Sequence, residues 1–257
     1  MSDAVLRAEG LCKNFGGVTA VKDFSFSVGP GSLTAIIGPN GAGKTTIFNL
    51  ISRIYRPEAG TIWLEGRDVT AMSQIETARM GISRTFQNTR LFTGLDVLDN
   101  VKVALDFNAG YSMLEAMLLM PRRWKREKEI RQRAMDCLEL LNLHSYARMR
   151  PESLPYGVQR RVEIARALVA SPKVLMLDEP AAGLNPEEVN QLSVFLAEIR
   201  HKYPRLAILI IEHRMDLVMN LSDYIYVQDF GETIAQGLPD QIRNDPLVLR
   251  AYLGEEA

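Results

Sequence analysis

Only two cysteines, Cys12 and Cys137, occur in 257 residues, too few and too far apart for a disulfide scaffold or a zinc site. Both are expected to be reduced, packed thiols. Long apolar runs are equally scarce. The longest, such as 206–211, fall far short of the roughly 20 residues needed to cross a bilayer, so any membrane role has to run through a partner. Neither sign of charge is in excess: 30 basic residues face 31 acidic ones, a net charge of −1. Without a global field to hold a polyanion, nucleic acid is a poor first reading. The opening Met1-Ser-Asp-Ala-Val-Leu-Arg7 lacks the basic-then-apolar pattern of a secretory leader, and the mature chain is expected to begin there. Internal repeats and low-complexity tracts are missing as well, which removes solenoids and propellers.

What is present is the balance of an ordinary globular protein, 47% hydrophobic and 24% charged residues, in a chain long enough to bury one large α/β core. Residues 24–28 alternate apolar and polar, as a half-buried strand does, whereas 33–37 are mostly apolar and run into a glycine-rich turn, as a central strand does. Two more apolar runs of strand length, 174–177 and 206–211, bracket Val189, Leu192, Leu196 and Ile199 at helical spacing. A strand, a helix and a strand in that order imply a parallel sheet. The stretch 91–155 is helix-like throughout, with apolar spacing at Leu114, Met117 and Leu118 and again at Leu138 and Leu141. It is expected to form a helical lobe inserted into a core made of 1–90 and 156–257. The basic run 122–133 within it is expected as a solvated helix face, with a face toward anionic lipid or a membrane partner as the alternative. Beyond Asp223, residues 224–227 and 233–235 read as a hairpin around Gly231, followed by short terminal helices.

The chemistry starts directly after the 33–37 strand. Gly38-Pro39-Asn40-Gly41-Ala42-Gly43-Lys44-Thr45 fits GxxxxGK[ST] and opens a helix-like stretch at Thr46, which is the strand, loop and helix context a phosphate-binding loop requires. Phosphate oxygens need several donors converging on a concave surface, and a glycine-rich backbone can aim successive N–H groups inward. Lys44 adds a cation for the β and γ phosphates, and the Thr45 hydroxyl is a ligand for Mg²⁺. The run Val174-Leu-Met-Leu-Asp178-Glu179 then places two carboxylates where an apolar strand emerges at its C-terminal end, the ligand crevice of open α/β sheets. Asp178 is expected to support the Mg²⁺ shell, and Glu179 to orient or deprotonate an attacking water. His213, two residues beyond a third core strand, is expected within reach of a γ-phosphate.

With these residues and several further segments, the chain resembles the nucleotide-binding subunits of ABC transporters over essentially its whole length. That resemblance implies a P-loop NTPase core with a mainly parallel sheet, an antiparallel N-terminal β portion and an inserted helical lobe, all forming one ABC ATPase domain. It places Phe15 where an aromatic stacks on adenine and Thr85-Phe86-Gln87 where a glutamine touches Mg²⁺ and senses the membrane subunit. Gly157, with Gln159-Arg160-Arg161 and the following 162–168, takes the place of the signature segment that caps ATP held by the opposite subunit. Asn185, in Gly183-Leu184-Asn185, lies in the loop that crosses the dimer interface, and His213 matches the switch histidine. The usual Leu-Ser-Gly-Gly-Gln signature reads here Leu154-Pro155-Tyr156-Gly157-Val158. A serine hydroxyl and one glycine are absent, and Pro155 has neither hydroxyl nor N–H. Asn185 stands where many members have aspartate.

Within the family, Arg84-Thr-Phe-Gln-Asn-Thr-Arg-Leu-Phe92, Ala181-Ala-Gly-Leu-Asn-Pro186, Ile211-Glu-His213 and Arg250-Ala-Tyr-Leu-Gly254 are most similar to the branched-chain amino acid importers. The resemblance implies ATP and Mg²⁺ as cofactors and an identical or homologous ATPase subunit paired head to tail. It also implies two integral membrane permease subunits, an indirect link to an extracytoplasmic substrate-binding protein, and a place at the cytoplasmic face of the cell membrane. Importers of urea or other amino acids and lipopolysaccharide exporters share much of the pattern. A regulatory nucleotide-binding subunit with little hydrolysis is a second class, prompted by the altered signature and opposed by Asp178, Glu179 and His213. A soluble ATPase acting on DNA or ribosomes is a third, opposed by the neutral charge and the single P-loop.

Overall fold

The computed structural model describes residues 4–87, 90–106 and 121–253. The expected apolar spacing at Leu114, Met117 and Leu118 and the terminal Gly254 lie outside them. The chain divides into two compact units, Met1–Gln87 with Lys173–Ala257, and Asn88–Pro172.

The first unit holds two sheets. Strands β1 (Leu6–Phe15), β2 (Val18–Val28), β4 (Ala59–Leu64) and β5 (Arg67–Asp68) form an antiparallel sheet in the order β2-β1-β4-β5. The alternation expected at 24–28 is present: Phe24, Phe26 and Val28 are buried while Ser25 and Ser27 face solvent. The second sheet runs β10-β9-β3-β8-β7-β6, from β3 (Leu33–Ile37), β6 (Ile82–Arg84), β7 (Val174–Asp178), β8 (Ala207–Ile211), β9 (Tyr224–Asp229) and β10 (Glu232–Gly237). All its pairings are parallel except the β9–β10 hairpin. Strands β3, β7 and β8 are buried at every residue, as strands covered on both faces must be. Because β3, β7 and β8 run parallel, the loops that follow them all leave the same edge of the sheet, and this brings distant motifs together.

Helix α1 (Lys44–Ile51) follows β3, and its Ile47, Phe48, Leu50 and Ile51 join residues of both sheets in one apolar cluster with Phe24, Phe26, Ile62 and Leu209. Helix α2 (Gln74–Met80) starts at a capping box between Ser73 and Glu76 and ends at Gly81, whose left-handed backbone turns the chain into β6.

The second unit contains helices α3 (Val97–Asp106), α4 (Pro121–Leu140) and α5 (Tyr156–Leu168), with short 3₁₀ turns at His144–Tyr146 and Pro151–Ser153. Its interior is built from Val97, Leu98 and Val101 of α3, Ile130, Ala134 and Leu138 of α4, and Val158, Val162 and Ala165 of α5. The expected boundaries of the lobe, 91 and 155, therefore move to 88 and 172. Helix α5, assigned to the core from sequence, belongs to this unit because its apolar face packs on α3 and α4. In α4 the side chains of Trp124, Lys125, Lys128 and Arg131 are exposed, as either reading of the basic run requires. Cys137 is buried and Cys12 half-buried, both as free thiols.

Helices α6 (Pro186–Lys202), α7 (Met215–Leu221), α8 (Pro239–Arg243) and α9 (Pro246–Leu253) complete the first unit. In α6 the expected Val189, Leu192, Leu196 and Ile199 are all buried. Among the described residues no helix is long and apolar enough to cross a membrane.

Candidate nucleotide site

The loop after β3 is held by close backbone packing at both ends. A Cβ on Gly38, at φ 146, would stand 2.0 Å from the Gln228 carbonyl oxygen, and one on Gly43, at φ 93, would stand 2.2 Å from that of Ala20. Only glycine fits either place, because the loop is pressed against β9 on one side and β2 on the other. Gly43 is also the N-cap of α1, with no side chain capping it, so the helix presents its backbone N–H end to whatever the loop encloses. Lys44 is 7% exposed, and its Nζ donates to the Gly38 and Pro39 carbonyls at 2.6 and 2.7 Å.

Asn40, Gly41, Ala42, Gly43, Lys44, Thr45 and Thr46 line an open cleft of about 300 Å³ together with Glu179, Val18, Thr19, Ala20 and Phe230. A loop carboxylate thus meets the glycine-rich loop, although 135 positions separate Lys44 from Glu179 in sequence. Glu179 has φ 45, a left-handed backbone that costs a non-glycine residue about 1–2 kcal/mol. Its N–H donates to the Ile211 carbonyl at 2.9 Å, and its Oε2 accepts from Gln87 Nε2 at 2.8 Å. Strain of this kind is retained where the side chain must be aimed.

Asp178 takes a different partner. Its Oδ2 accepts from Arg84 Nη2 at 2.7 Å, and both side chains are nearly buried, 7% exposed for the arginine and 6% for the acid. The other guanidinium nitrogen, Nη1, donates to Asn49 Oδ1 and Ser52 Oγ near the end of α1. Arg84 thereby ties the acid at the end of β7 to the helix that carries the phosphate loop. Sequence alone presents Arg84 as part of a family motif and does not show this link.

Glu212 is a second unpredicted member. It is fully buried between Ile211 and His213, its Oε1 accepts from the Ala181 N–H at 2.7 Å, and its Oε2 accepts from the N–H groups of His213 and Arg214 at 3.2 and 3.4 Å. Burial pushes its carboxyl above the ordinary range, against the opposing pull of those backbone donors. It fastens the loop after β7 to the loop after β8. His213 itself is exposed on that second loop and does not line the cleft.

The remaining predicted residues are spread out. Phe15 ends β1, where its ring meets Tyr55 edge-on at 5.2 Å and lies under Lys13 Nζ at 5.3 Å, outside the lining of the cleft. Asn185 is the N-cap of α6 and forms a capping box with Glu188, so the amide that stands in place of an aspartate has a structural task. Gly157 lies in the first turn of α5, in the second unit. Pro155 is the N-cap of that helix, and its carbonyl accepts from the N–H groups of Val158 and Gln159 at 3.0 and 3.1 Å. A residue preceding the first helical turn needs no N–H of its own, and so the departure from the usual signature leaves the helix start intact.

The residues fit a nucleoside triphosphate. The cleft offers a helix N-terminus, a backbone too tightly packed to admit side chains at Gly38 and Gly43, and one ammonium. For a magnesium ion the chemistry is right in kind, since Thr45, Asp178 and Gln87 are hard oxygen donors. Among the described residues no group of three or more His, Cys, Asp or Glu is assembled to hold a metal ion, and magnesium needs none when phosphates supply most of its ligands.

Comparison with known proteins shows the family to which the chain belongs. The ABC transporter family matches residues 21–182, and the branched-chain amino acid ATP-binding cassette transporter family matches residues 232–257. The high-affinity branched-chain amino acid transport ATP-binding protein LivG of Escherichia coli K12 is 44% identical over 99% of this chain and 100% of its own length. BraF of Pseudomonas aeruginosa, described in the same words, is 42% identical over the same shares. The crystal structure of the ADP conformation of MJ1267, an ATP-binding cassette of an ABC transporter, superposes with a TM-score of 0.83 at 33% identity, covering 98% of this chain and 99% of that one. The chain belongs to the ABC transporter family, as an ATP-binding subunit whose hydrolysis of ATP powers transport.

Proposed function

We propose that this chain energises the import of branched-chain amino acids from the cytoplasmic face of the cell membrane, bound to two integral membrane permease subunits and paired head to tail with an identical or homologous ATPase subunit. An extracytoplasmic substrate-binding protein delivers the cargo to the permeases and meets this chain only through them. The names of LivG and BraF and the match of residues 232–257 support the cargo. The meeting of the glycine-rich loop with Glu179 in one cleft is the observation that carries the chemistry.

In this reading the N–H groups of 38–45 and the start of α1 hold the triphosphate, and Lys44 supplies the cation for its β and γ phosphates. Thr45, Asp178 and Gln87 would hold Mg²⁺, which when bound neutralises charge on those phosphates. Glu179 takes a proton from the water that attacks the γ-phosphorus, while the bond from phosphorus to the ADP oxygen breaks. Gln87 aims that carboxylate through its 2.8 Å bond. Phe15 offers its ring to adenine, and His213 reaches the γ-phosphate from the loop after β8. The Gly157 segment caps the nucleotide of the opposite subunit, and Asn185 lies near the surface where the two meet. ATP joins the pair, and loss of the γ-phosphate lets it open.

The test is a reconstituted complex of this chain with the permeases that co-purify with it. ATP should drive uptake of leucine, isoleucine or valine, and Glu179→Gln should cut phosphate release by about 10²–10⁴-fold and stop uptake. Undiminished release in that variant contradicts the assigned base, and ATP-driven uptake of unrelated cargo alone contradicts the substrate.

A further inference from the structure

Two hairpins reach the cleft, one through Val18 and one through Phe230, and each turn needs a positive φ at its first central residue. Between β1 and β2 the turn is Gly16-Gly17, with Gly16 at φ 54. Between β9 and β10 it is Phe230-Gly231, bracketed by the paired Asp229 and Glu232. Both of its central residues have positive φ, 41 for Phe230 and 82 for Gly231, the requirement of a type I′ turn. At the first of these positions asparagine, aspartate or glycine is the usual occupant. A bulky aromatic is disfavoured there by its own backbone. It is disfavoured again by solvent, because Phe230 is 87% exposed, so its ring gains almost no packing within the chain.

A residue that is costly in both respects and unrewarded by its own fold marks a place where something outside the chain is bound. Its position identifies what that is. The turn is fastened in place: the Gly231 carbonyl accepts from the Lys22 N–H at 2.8 Å, the Gly231 N–H donates to the Ala42 carbonyl at 3.3 Å, and Lys22 and Glu232 form an ion pair at 2.6 Å. Ala42 belongs to the phosphate loop itself. Phe230 therefore stands at a fixed offset from that loop, and it lines the same cleft as Val18, Thr46 and Lys44. The loop takes the phosphates, and an apolar ring beside Val18 suits the flat, weakly polar part of the ligand.

We propose that Phe230 is a nucleotide-binding residue, contacting the base or sugar of the bound nucleoside triphosphate from the β9–β10 turn. This rests on the reading of 38–45 as the phosphate site, and the test separates the two. Binding of Mg-ATP and of inorganic tripolyphosphate to the purified full-length chain is measured for wild type, Phe230→Asn, Phe230→Trp and Lys44→Ala. Asparagine suits the turn and removes the ring, so Phe230→Asn should fold at least as stably as wild type. It should bind ATP about fivefold or more weakly, the scale of a lost stack between base and aromatic, with tripolyphosphate affinity unchanged. Phe230→Trp should retain ATP affinity, whereas Lys44→Ala should lose both ligands. Unchanged ATP affinity in Phe230→Asn, or an equal loss of both ligands, overturns the proposal while leaving the phosphate site standing. Unchanged binding of both ligands by Lys44→Ala removes the phosphate site and the proposal with it.

Discussion

The two ends of the cleft are built on different physical terms. Around the phosphate loop several groups are buried or constrained, although Asn40 and Thr45 are exposed: Gly38 and Gly43 are pressed against neighbouring backbone, Lys44 is sunk among carbonyls, and Asp178 is locked to Arg84. At the end proposed for the nucleoside, Phe230 and Val18 stand in solvent on hairpins, and Phe15, 43% exposed, lies outside the cleft lining just before the turn that leads to Val18. The phosphate end is thus preorganised for charge, where misplacement is costly in a low dielectric. The proposed nucleoside contact needs only apolar area, which tolerates variation in residue and position.

The largest effect that would break this contrast concerns Arg84. Replacing it with methionine leaves the Asp178 carboxylate buried without its cation, and loss of one partner of a buried pair costs about 3–5 kcal/mol. Chemical denaturation of Arg84→Met should show that loss, and a change below about 1 kcal/mol would mean that Asp178 relaxes into water. A smaller effect belongs to Phe15. Phe15→Ala should weaken ATP binding by about fivefold and leave tripolyphosphate binding untouched. A loss below about twofold would shift the nucleoside contact to Phe230 and Val18, sharpening the asymmetry between the two hairpins.

The same contrast explains what could be read from sequence. The phosphate loop is a local motif, a strand, a glycine-rich turn and a helix within 33–51, and its spacing carries its meaning. The acids ending β7 and the histidine after β8 were placed by their apolar strands, which the structure sets parallel and adjacent. Arg84 was not legible as a partner of Asp178 because 94 positions separate them, and nothing local to 82–84 says which helix lies beside that short strand. Phe230 was hidden for the same reason: the importance of its turn depends on the phosphate loop that it abuts, far away in sequence. Helix α5 shows the opposite failure. Its amphipathic pattern was plain, but a pattern names the face that is buried and not the neighbour that buries it, so packing on α3 and α4 moved it into the second unit.

The claim on which all else depends is that Lys44 belongs to the grip on the triphosphate. Calorimetric titration of Mg-ATP into Lys44→Ala beside the wild-type chain tests it most directly. Removal of a charge-assisted donor to phosphate, about 1.5–3 kcal/mol, predicts an affinity at least about tenfold lower with the fold intact. Equal affinity in the two proteins would contradict the account.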